Sequence, residues 1–415
     1  MKSRRTQPLP IEPSVFSGGD ASAGGTTTAL SGSEQRTVSV AGHRGVGKTQ
    51  LCELLLADTG AIRTQGSTEA GTTLLDASPV ARHHRQSVEV SSAWLELGSE
   101  RGSQVALRDA LPACRIQLID TPGAAFLSAM RDVALASADG ALVVVDAVHG
   151  VQLGTEDALD AAARCRIPVL AVATGIERGI CETLADDLGR VAGTRAVHVH
   201  EPVMEDGHLI GLLDVVADRL LRYADDGSGA FSPEPVPPTL KQVRDLALER
   251  VAEAVAVTDD ALLEHYLEYL ELPPDMLREG LARAVRSRAL VPILLTSSAR
   301  GVGGVPLLSA IAEWLPSLDE VPREVVDHDG TRETVDPGGP FVARVIASHV
   351  DDGGERWHEL RILAGRPPKG DWVDARTGER HRVRKLYQVR GPRRSTFQDP
   401  RAGAIVGTWD PPPVS

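Results

Sequence analysis

The sequence lacks paired cysteines, long apolar runs and an N-terminal leader pattern. Its four cysteines are isolated, without a CxxC spacing, which favours reduced packing in the core over a disulfide or a metal site. No apolar run approaches the ~20 residues that a membrane-spanning helix needs. Arg4 and Arg5 are followed by Pro8 and Pro10, where a signal peptide would be apolar. We therefore expect a cytoplasmic protein with no membrane partner.

Positive charge is also in deficit. The formal net charge of −13 argues against electrostatically driven binding to bulk nucleic acid such as DNA. This net charge does not exclude a structured ribonucleoprotein partner that binds to a local patch of the surface. The chain of 415 residues is 42% hydrophobic and 24% charged, an ordinary globular composition. This length exceeds what one hydrophobic core usually supports, so two or three domains are expected.

Composition and periodicity divide the chain into segments. Residues 1–35 are rich in Ser, Gly, Thr and Pro, which predicts a disordered tail. Residues 36–317 are predicted to form an α/β domain with a parallel sheet, because strands and helices alternate up to about residue 180. Residues of about 181–290 interrupt this alternation and are predicted to be an inserted α+β subdomain, with a helical pattern over 240–269.

The C-terminal part follows a different pattern. Residues 318–340 are acidic and contain Gly and Pro, which predicts a linker. Residues 341–410 contain short alternating runs separated by turn residues, and the predicted strands lie at 341–347, 359–363 and 381–387. This pattern predicts a small β-barrel.

Lysine is rare in this chain, yet one lysine stands where a phosphate-binding loop requires it. Five of the 44 basic residues are lysines, and Lys48 follows a glycine-rich loop between a predicted strand at 37–41 and a predicted helix at 50–56. The GxxxxGK[ST] spacing brings backbone N–H groups around a phosphate at a helix N-terminus. Lys48 is predicted to reach the outer phosphates, and the Thr49 hydroxyl to bind a magnesium ion. The predicted phosphate-binding residues are Gly42, His43, Arg44, Gly45, Val46, Gly47, Lys48 and Thr49.

A second motif, DTPG at residues 120–123, ends an apolar strand predicted at 115–119. Asp120 can hold a magnesium-bound water, and the Gly123 N–H can meet a γ-phosphate. A phosphate-binding loop followed roughly 70 residues later by an apolar strand and DTPG is specific for the GTPase branch of P-loop proteins. The predicted fold is therefore an α/β P-loop NTPase (GTPase) domain with an inserted subdomain, followed by the small β-barrel.

These motifs resemble those of the translational GTPases, most closely the elongation factor G group and its paralogous branch. The resemblance covers about residues 37–410. The stretch 71–88 is similar to switch I of that branch, and it places Ser87 where the family carries a Thr or Ser that closes on magnesium; an unremarkable Ser at a strand start is the alternative. Residues 292–315 are similar to the family's base-binding loop and final helix, and the predicted barrel resembles its second domain.

The resemblance implies GTP or GDP and Mg²⁺ as cofactors. It implies metal contacts and base contacts for the following residues: Thr49, Ser87 and Asp120 at the metal, and Thr174, Glu177, Ser298 and Ala299 at the base. The family's Asn-Lys-x-Asp motif is Thr-Gly-Ile-Glu here, at residues 174–177. Glu177 keeps the carboxylate that accepts from guanine but adds a methylene, and the lysine that packs over the base is lost. Guanine stays the preferred base, because the Ala299 N–H can meet its O6 atom.

A second departure concerns hydrolysis. The family's DTPG motif is followed by a His that orients the attacking water, and this chain has Ala124 there. Alanine has no group that can position or polarise water. His83 and His84 are distant candidates, for which solvated positions on a mobile loop are the favoured interpretation. We assign no catalytic residue and expect GTP hydrolysis to be weak or absent.

The resemblance also implies a partner. The family's second domain touches ribosomal RNA, so a ribosome-binding monomer is expected, and a basic ribbon in the predicted barrel would suit that contact; a solvated strand face explains it equally well. The ribbon consists of Arg380, Arg382, Arg384, Lys385, Arg390, Arg393 and Arg394. Family members continue with three further domains that act on transfer RNA, so a chain that stops at Ser415 is expected to be a fragment or a reduced paralogue.

Two functions remain open from the sequence. The first is a GTP-binding, elongation factor G-like protein that associates with the ribosome and hydrolyses GTP slowly or not at all. The alternative is a non-catalytic switch or decoy that binds a protein partner in a nucleotide-dependent way. The intact loop and DTPG motif favour the first, and Ala124 with the altered base motif favours the second.

Overall fold

The computed structural model describes residues 35–98, 113–326, 332–350, 354–374 and 377–409. Apart from Gln35, the predicted disordered tail lies outside the described residues. The helices in chain order are α1 (Lys48–Asp58), α2 (Pro79–His84), α3 (Ser128–Ala136), α4 (Leu153–Cys165), α5 (Leu184–Ala192), α6 (Lys241–Ala256), α7 (Asp260–Tyr269), α8 (Pro274–Arg286) and α9 (Gly304–Trp314).

The strands are short and numerous. In chain order they are β1 (Gln35–Gly42), β2 (Ser91–Leu97), β3 (Cys114–Asp120), β4 (Gly140–Asp146), β5 (Val169–Thr174), β6 (Arg195–His198), β7 (His200–Glu205), β8 (His208–Asp214), β9 (Arg219–Tyr223), β10 (Phe231–Pro235), β11 (Leu290–Thr296), β12 (Glu324–Val326), β13 (Arg332–Thr334), β14 (Val342–Val350), β15 (Arg356–Ala364), β16 (Gly370–Val373), β17 (Arg380–Val383), β18 (Tyr387–Arg390), β19 (Arg393–Thr396) and β20 (Ile405–Thr408).

A seven-stranded sheet in the order β2-β3-β1-β4-β5-β11-β6 organises the α/β region. Six strands run parallel, and β2 pairs antiparallel with β3 at one edge. Alternate residues of β4 enter different hydrophobic clusters: Leu142 packs with α1, α6, α8 and α9, whereas Val143 packs with α4 and α5. Since side chains alternate across a strand, helices cover both faces. The predicted α/β fold with a buried parallel sheet is confirmed.

The segment predicted as an insertion contributes to two sheets. Strands β7–β10 form a separate antiparallel sheet in the order β10-β9-β8-β7, whereas β6 pairs parallel with β11 in the main sheet. The helical pattern predicted over 240–269 corresponds to α6 and α7, and α8 was not foreseen. The main sheet thus extends into the segment of about 181–290, whose boundaries stay a prediction.

The C-terminal region is entirely β-structure among its described residues. Strands β14-β15-β20-β18-β19 form a five-stranded sheet, and β16 and β17 form a two-stranded sheet. Trp372 and Val383 of the two-stranded sheet pack on Leu360, Ile362 and Val406 of the five-stranded one. The predicted strand at 381–387 is wrong as one element, because β17 and β18 belong to different sheets. The described strands do not pair into a closed ring, so closure into a barrel stays a prediction. The predicted linker contains two short strands, β12 and β13, which pair antiparallel.

A buried carboxylate joins the α/β region to the C-terminal β-strands. Asp139 precedes β4, and its two oxygens accept hydrogen bonds of 2.8 and 2.7 Å from Arg361 of β15 and a further bond from Arg323. Burial opposes ionisation, but the two guanidinium groups hold the pKa of Asp139 below its ordinary value. Leaving either charge unpaired in such a pair costs ~3–5 kcal/mol. The C-terminal strands β14–β20, called the β-region from here on, are therefore fixed against the main sheet where β4 begins.

Among the described residues, no helix has the combination of length and apolar character that crossing a bilayer requires.

Candidate functional site

The loop between β1 and α1 has a backbone that requires glycine. Gly45 and Gly47 have φ angles of 81° and 91°, in the left-handed region that glycine adopts without strain. A Cβ atom at Gly42 would overlap the Val144 carbonyl oxygen of β4. Gly47 is also the N-cap of α1 and supplies no capping side chain. The first N–H groups of α1 are thus left for an anion, as at other phosphate sites.

Lys48 lies between the loop and the DTPG segment. Its ammonium donates to the carbonyl oxygens of Gly42 (3.2 Å) and His43 (2.8 Å). It also occupies the space that a Cβ atom at Gly123 would need. Burial lowers the pKa of Lys48, and the nearby Asp120 carboxylate partly offsets this effect. A side chain held in this way is placed to exchange its carbonyl contacts for phosphate oxygens.

Four oxygen-bearing side chains converge at the start of α1. The Thr49 hydroxyl donates to Asp120 (2.6 Å) and lies 2.9 Å from the Ser87 hydroxyl. Ser87 in turn donates to Asp76 over 3.1 Å. The structure therefore brings together the three residues predicted at the metal. Asp76 is an addition that sequence reasoning missed, although it lies inside the switch-like stretch 71–88.

Two carboxylates of this cluster share one neighbouring cation, the Lys48 ammonium. Burial, and the negative charge of Asp76, raise the pKa of Asp120 to about 7. Burial also raises the pKa of Asp76. The second carboxylate oxygen of Asp120, Oδ1, is buried and has no hydrogen-bond partner among the described residues. Adding a cation would relieve both the repulsion and the unpaired oxygen.

The donor set fits Mg²⁺, which prefers oxygen ligands and usually keeps waters and phosphate oxygens in its shell. Thr49, Ser87, Asp76 and Asp120 would hold such an ion directly or through water. When bound, it would neutralise charge on the phosphates. No group of three or more His, Cys, Asp or Glu side chains in the described part of the chain forms a metal cluster by itself. The ion would therefore depend on the nucleotide for ligands.

A cavity of about 140 Å³ opens beside Lys48, Thr49 and Gly123. Ligand pockets for whole small molecules measure roughly 300–1,000 Å³, so this cavity suits the phosphate tail alone. Arg44 of the loop lines it, and its phosphate contact stays a prediction. Arg85 and Gln86 line it too, and sequence reasoning missed both, although they immediately precede Ser87. Larger cavities lie among β6–β9 and the helices α5, α6, α8 and α9, and none of the residues that line them belongs to the loop.

The residues predicted at the base lie on two adjacent segments. The Thr174 hydroxyl donates to the carbonyl oxygens of Val46 (2.6 Å) and Val145 (3.3 Å), which ties the end of β5 to the phosphate-binding loop. The Gly175 N–H donates to the Thr296 carbonyl oxygen over 3.1 Å. This bond places the turn that carries Glu177 beside the loop that carries Ser298 and Ala299.

Two polar atoms on these segments lack partners. Oε2 of Glu177 and the hydroxyl oxygen of Ser298 are buried, and neither has a hydrogen-bond partner in the part of the chain that the structure describes. Buried polar groups are nearly always paired in folded proteins. The unpaired acceptor and the unpaired hydroxyl lie on adjacent segments, and both keep hydrogen-bonding capacity that the described residues do not use.

The space left by the missing lysine is filled from another position. The guanidinium of Arg178 lies where a side chain at Gly175 would point. Its Nη2 atom donates to Asp146 over 2.7 Å. Burial opposes ionisation of Asp146, but hydrogen bonds from Arg178 and from His149 lower its pKa to about 2. The turn at residues 174–178 thus has a cation beside Gly175, but that cation is the side chain of Arg178.

The two histidines considered as substitutes for the water-orienting residue are absent from the cavity. His83 and His84 are exposed in the last turn of α2, with ring centroids 5.1 Å apart. Neither lines the cavity beside Lys48. Ala124 is 7% exposed and directly follows Gly123. The exposure of His83 and His84 therefore agrees with the prediction that they are solvated surface residues.

The segment that carries Ser87 is also tied to the β-region. Glu89 accepts a 2.8 Å hydrogen bond from the His349 ring of β14. Burial lowers the pKa of His349, but Glu89 and Glu359 outweigh this and raise it above the ordinary value. Glu359 of β15 in turn accepts a 2.5 Å bond from the Ser92 hydroxyl of β2. A displacement of Ser87 would act directly on these contacts.

Two arginines of the predicted basic ribbon pack against aromatic rings. The Arg390 guanidinium stacks 3.8 Å from the Trp94 ring, and that of Arg394 lies 3.9 Å from the Trp357 ring and 4.5 Å from the Trp409 ring. These two arginines are engaged in packing within the chain. Three other exposed arginines of the ribbon have no such ring contact among the described residues: Arg380, Arg382 and Arg393.

Comparisons with known proteins agree with this geometry. The family model described as the elongation factor Tu GTP binding domain matches residues 33–317, more than half of the chain. Elongation factor G 1 of Geobacter sulfurreducens is 29% identical over 390 residues, which cover 89% of this chain and 53% of that protein. Elongation factor G of Fervidobacterium nodosum is 27% identical over 383 residues, with 90% and 53% covered.

A solved structure is similar as well. The crystal structure of ttk003000868 from Thermus thermophilus superimposes with a TM-score of 0.74 at 34% identity, covering 90% of this chain and 52% of the other. The chain spans about half the length of the curated relatives it matches. The family match covers the loop, the DTPG segment and the base-side segments described above. This chain therefore belongs to the family of the elongation factor Tu GTP binding domain, as an elongation factor G-like member.

Proposed function

We propose that the chain binds GTP and GDP together with Mg²⁺ at the loop between β1 and α1. The observation that carries this proposal is the convergence of Thr49, Ser87, Asp120 and Asp76 beside the uncapped start of α1. In this arrangement the N–H groups of α1 and the Lys48 ammonium bind phosphate oxygens. The hydroxyls and carboxylates supply oxygen ligands for the metal. The residues predicted from the loop, Gly42–Thr49, and Gly123 are the proposed phosphate contacts.

Guanine is the proposed base. The unpaired Oε2 atom of Glu177 supports an acceptor for the N–H groups of guanine, and the backbone of Ala299 lies on the adjoining segment. Adenine lacks these donors, so a carboxylate acceptor favours guanine. The Thr174 hydroxyl serves a structural purpose in the present geometry, because it bonds the loop carbonyl of Val46. Ser298 completes the proposed base contacts.

Slow hydrolysis is the second part of the proposal. Ala124 supplies no group to orient water, and no histidine lines the cavity in the described residues. The nucleotide would then act mainly as a conformational ligand. The positions of Ser87 and Asp76 would depend on whether the phosphates and the metal are bound. The tie from Glu89 to His349 supports transmission of that change to the β-region.

A ribosome-associated role in the cytoplasm, as a monomer, is the proposed setting. The relatives are named elongation factor G, and the β-region carries exposed arginines suited to RNA phosphates. We keep the proposed layout of a GTPase domain at 36–317, a linker at 318–340 and a barrel at 341–410. Ala124 also favours a second candidate, a non-catalytic switch or decoy whose partner is a protein.

The first prediction concerns binding. Isothermal titration with GTP, GDP and ATP, with and without Mg²⁺, should show guanine nucleotides bound more tightly than ATP. Lys48→Met should weaken GTP binding by roughly 10- to 150-fold, the value of one or two hydrogen bonds to a charged group. Lys241→Met, at the exposed start of α6, is the matched control. No affinity of the native chain for any purine triphosphate at millimolar concentration would refute the site.

The second prediction concerns turnover. Single-turnover measurements of phosphate release from GTP, with the chain alone and with ribosomes, should give rates far below those of an elongation factor G assayed in parallel. The physical reason is the absence of a water-orienting group at Ala124. A rate equal to that of the reference factor would contradict the proposal of slow hydrolysis and would favour an enzyme.

The third prediction concerns the partner. Replacing Arg380, Arg382 and Arg393 together by Glu should abolish nucleotide-dependent cosedimentation with ribosomes, because phosphate contacts would become repulsive. The same change at Arg164, Arg166 and Arg190, which are exposed on the α/β region, should leave it intact. Unchanged cosedimentation of the first variant would remove the proposed RNA contact. Native protein that never cosediments would favour the protein-partner alternative.

A further inference from the structure

We propose that Arg85 recognises the terminal phosphate of the bound nucleotide and thereby distinguishes the triphosphate from the diphosphate. This inference rests on the proposed nucleotide site and adds a residue that neither the sequence motifs nor the family match assigns. Arg85 lines the same cavity as Lys48 and Gly123. It belongs to a separate segment of the chain, the one that leads from α2 to Ser87.

The backbone fixes where Arg85 stands. It is the C-terminal cap of α2 and adopts a left-handed conformation, with φ 50°. Its N–H bonds the Arg82 carbonyl oxygen over 3.3 Å, and the next N–H, of Gln86, bonds that of Ala81 over 3.1 Å. Non-glycine residues avoid this region of backbone space unless the surroundings hold them there. The left-handed turn therefore ends α2 at Arg85, and the Arg85 side chain lines the cavity.

The position along the phosphate tail follows from the neighbours of Arg85. Two residues later, the Ser87 hydroxyl lies 2.9 Å from that of Thr49, where the metal would bridge the outer phosphates. Lys48 and the Gly123 N–H serve the same outer end. Arg85 is thus located at the part of the cavity that a triphosphate fills and a diphosphate leaves to water.

The chemistry of the side chain suits this task. Arginine presents several N–H donors in a planar fork that matches phosphate oxygens in pairs. Arg85 is exposed in the described structure, and no ion pair or ring contact holds it elsewhere among the described residues. Arg44 lines the cavity as well, but it lies in the loop itself and would accompany either nucleotide. Arg85 is the cation that reaches the cavity from the segment that carries Ser87.

The neighbouring residues of α2 provide controls. Arg82 is exposed on the same short helix, three positions earlier, and it does not line the cavity. Its side chain lies instead against the Gly71 turn, where a Cβ atom would be 3.8 Å from Arg82 Cγ. Arg82→Ala therefore removes the same charge from the same element without touching the proposed contact.

The test is isothermal titration of the full chain with Mg²⁺ and either GTPγS, which resists hydrolysis, or GDP. Arg85→Ala should weaken GTPγS binding by roughly 10- to 150-fold, the range for lost hydrogen bonds to a charged group. GDP binding should stay within about twofold, because the diphosphate never meets this side chain. Arg85→Lys should fall between, since it keeps the charge but loses the fork. Arg82→Ala should match the native chain for both ligands.

Each outcome separates the two proposals. Equal affinities of native chain and Arg85→Ala for GTPγS, with GDP still bound, would overturn the role of Arg85 and leave the nucleotide site standing. An equal loss for both nucleotides would show that Arg85 supports the loop rather than the third phosphate, and would also overturn it. Absence of binding to either nucleotide by the native chain would overturn the site and this inference together. Unchanged GDP affinity in the variant doubles as proof that it folds.

Discussion

The Thr49 hydroxyl joins the three segments from which the candidate site is built. Through it the start of α1 meets Asp120 from the end of β3 and Ser87 from the segment after α2. Asp76 completes the group through Ser87. Two buried carboxylates lie close together here, and their burial and mutual repulsion raise the pKa of Asp120 to about 7 although the Lys48 ammonium is nearby. In the proposed function, a metal ion held with phosphate oxygens would lower this repulsion.

The same segment links this centre to the β-region. Ser87 is bonded within the cluster of Thr49, Asp120 and Asp76, and two residues later Glu89 is bonded to His349 of β14. The β-region itself is anchored independently through Asp139 and Arg361. The Glu89–His349 contact lies two residues from Ser87, whereas the Asp139–Arg361 pair holds the two regions together at another place. Coupling between sites needs such an element with two arrangements that a ligand can bias. The segment from Asp76 to Glu89 contacts both sides, through Ser87 at Thr49 and through Glu89 at His349.

Sequence reasoning succeeded where local pattern determines structure. The glycine spacing around Lys48 and the apolar strand before Asp120 predicted the loop, the sheet and their order along the chain. It failed where the answer depends on tertiary contact. Asp76 and Arg85 flank α2 inside the switch-like stretch 71–88, but only the tertiary structure shows that their side chains line the cavity beside Lys48. Arg178 fills the space beside Gly175 from three positions away, which a comparison of aligned motifs could not reveal. Glu177 was assigned to the base from its position in the motif, which stays a prediction, and its unpaired buried oxygen is evident only in the structure.

The most direct measurement of the central claim is the Mg²⁺ dependence of GDP affinity for the native chain and for Thr49→Val, which keeps the shape of the side chain and removes the hydroxyl. We predict that Mg²⁺ tightens GDP binding to the native chain by roughly tenfold or more, since a hydrogen-bonding or metal contact to a charged group contributes ~1.5–3 kcal/mol. In Thr49→Val, metal-free affinity should persist and this enhancement should disappear. The same Mg²⁺ enhancement in both proteins, or no GDP binding by the native chain, would contradict the account.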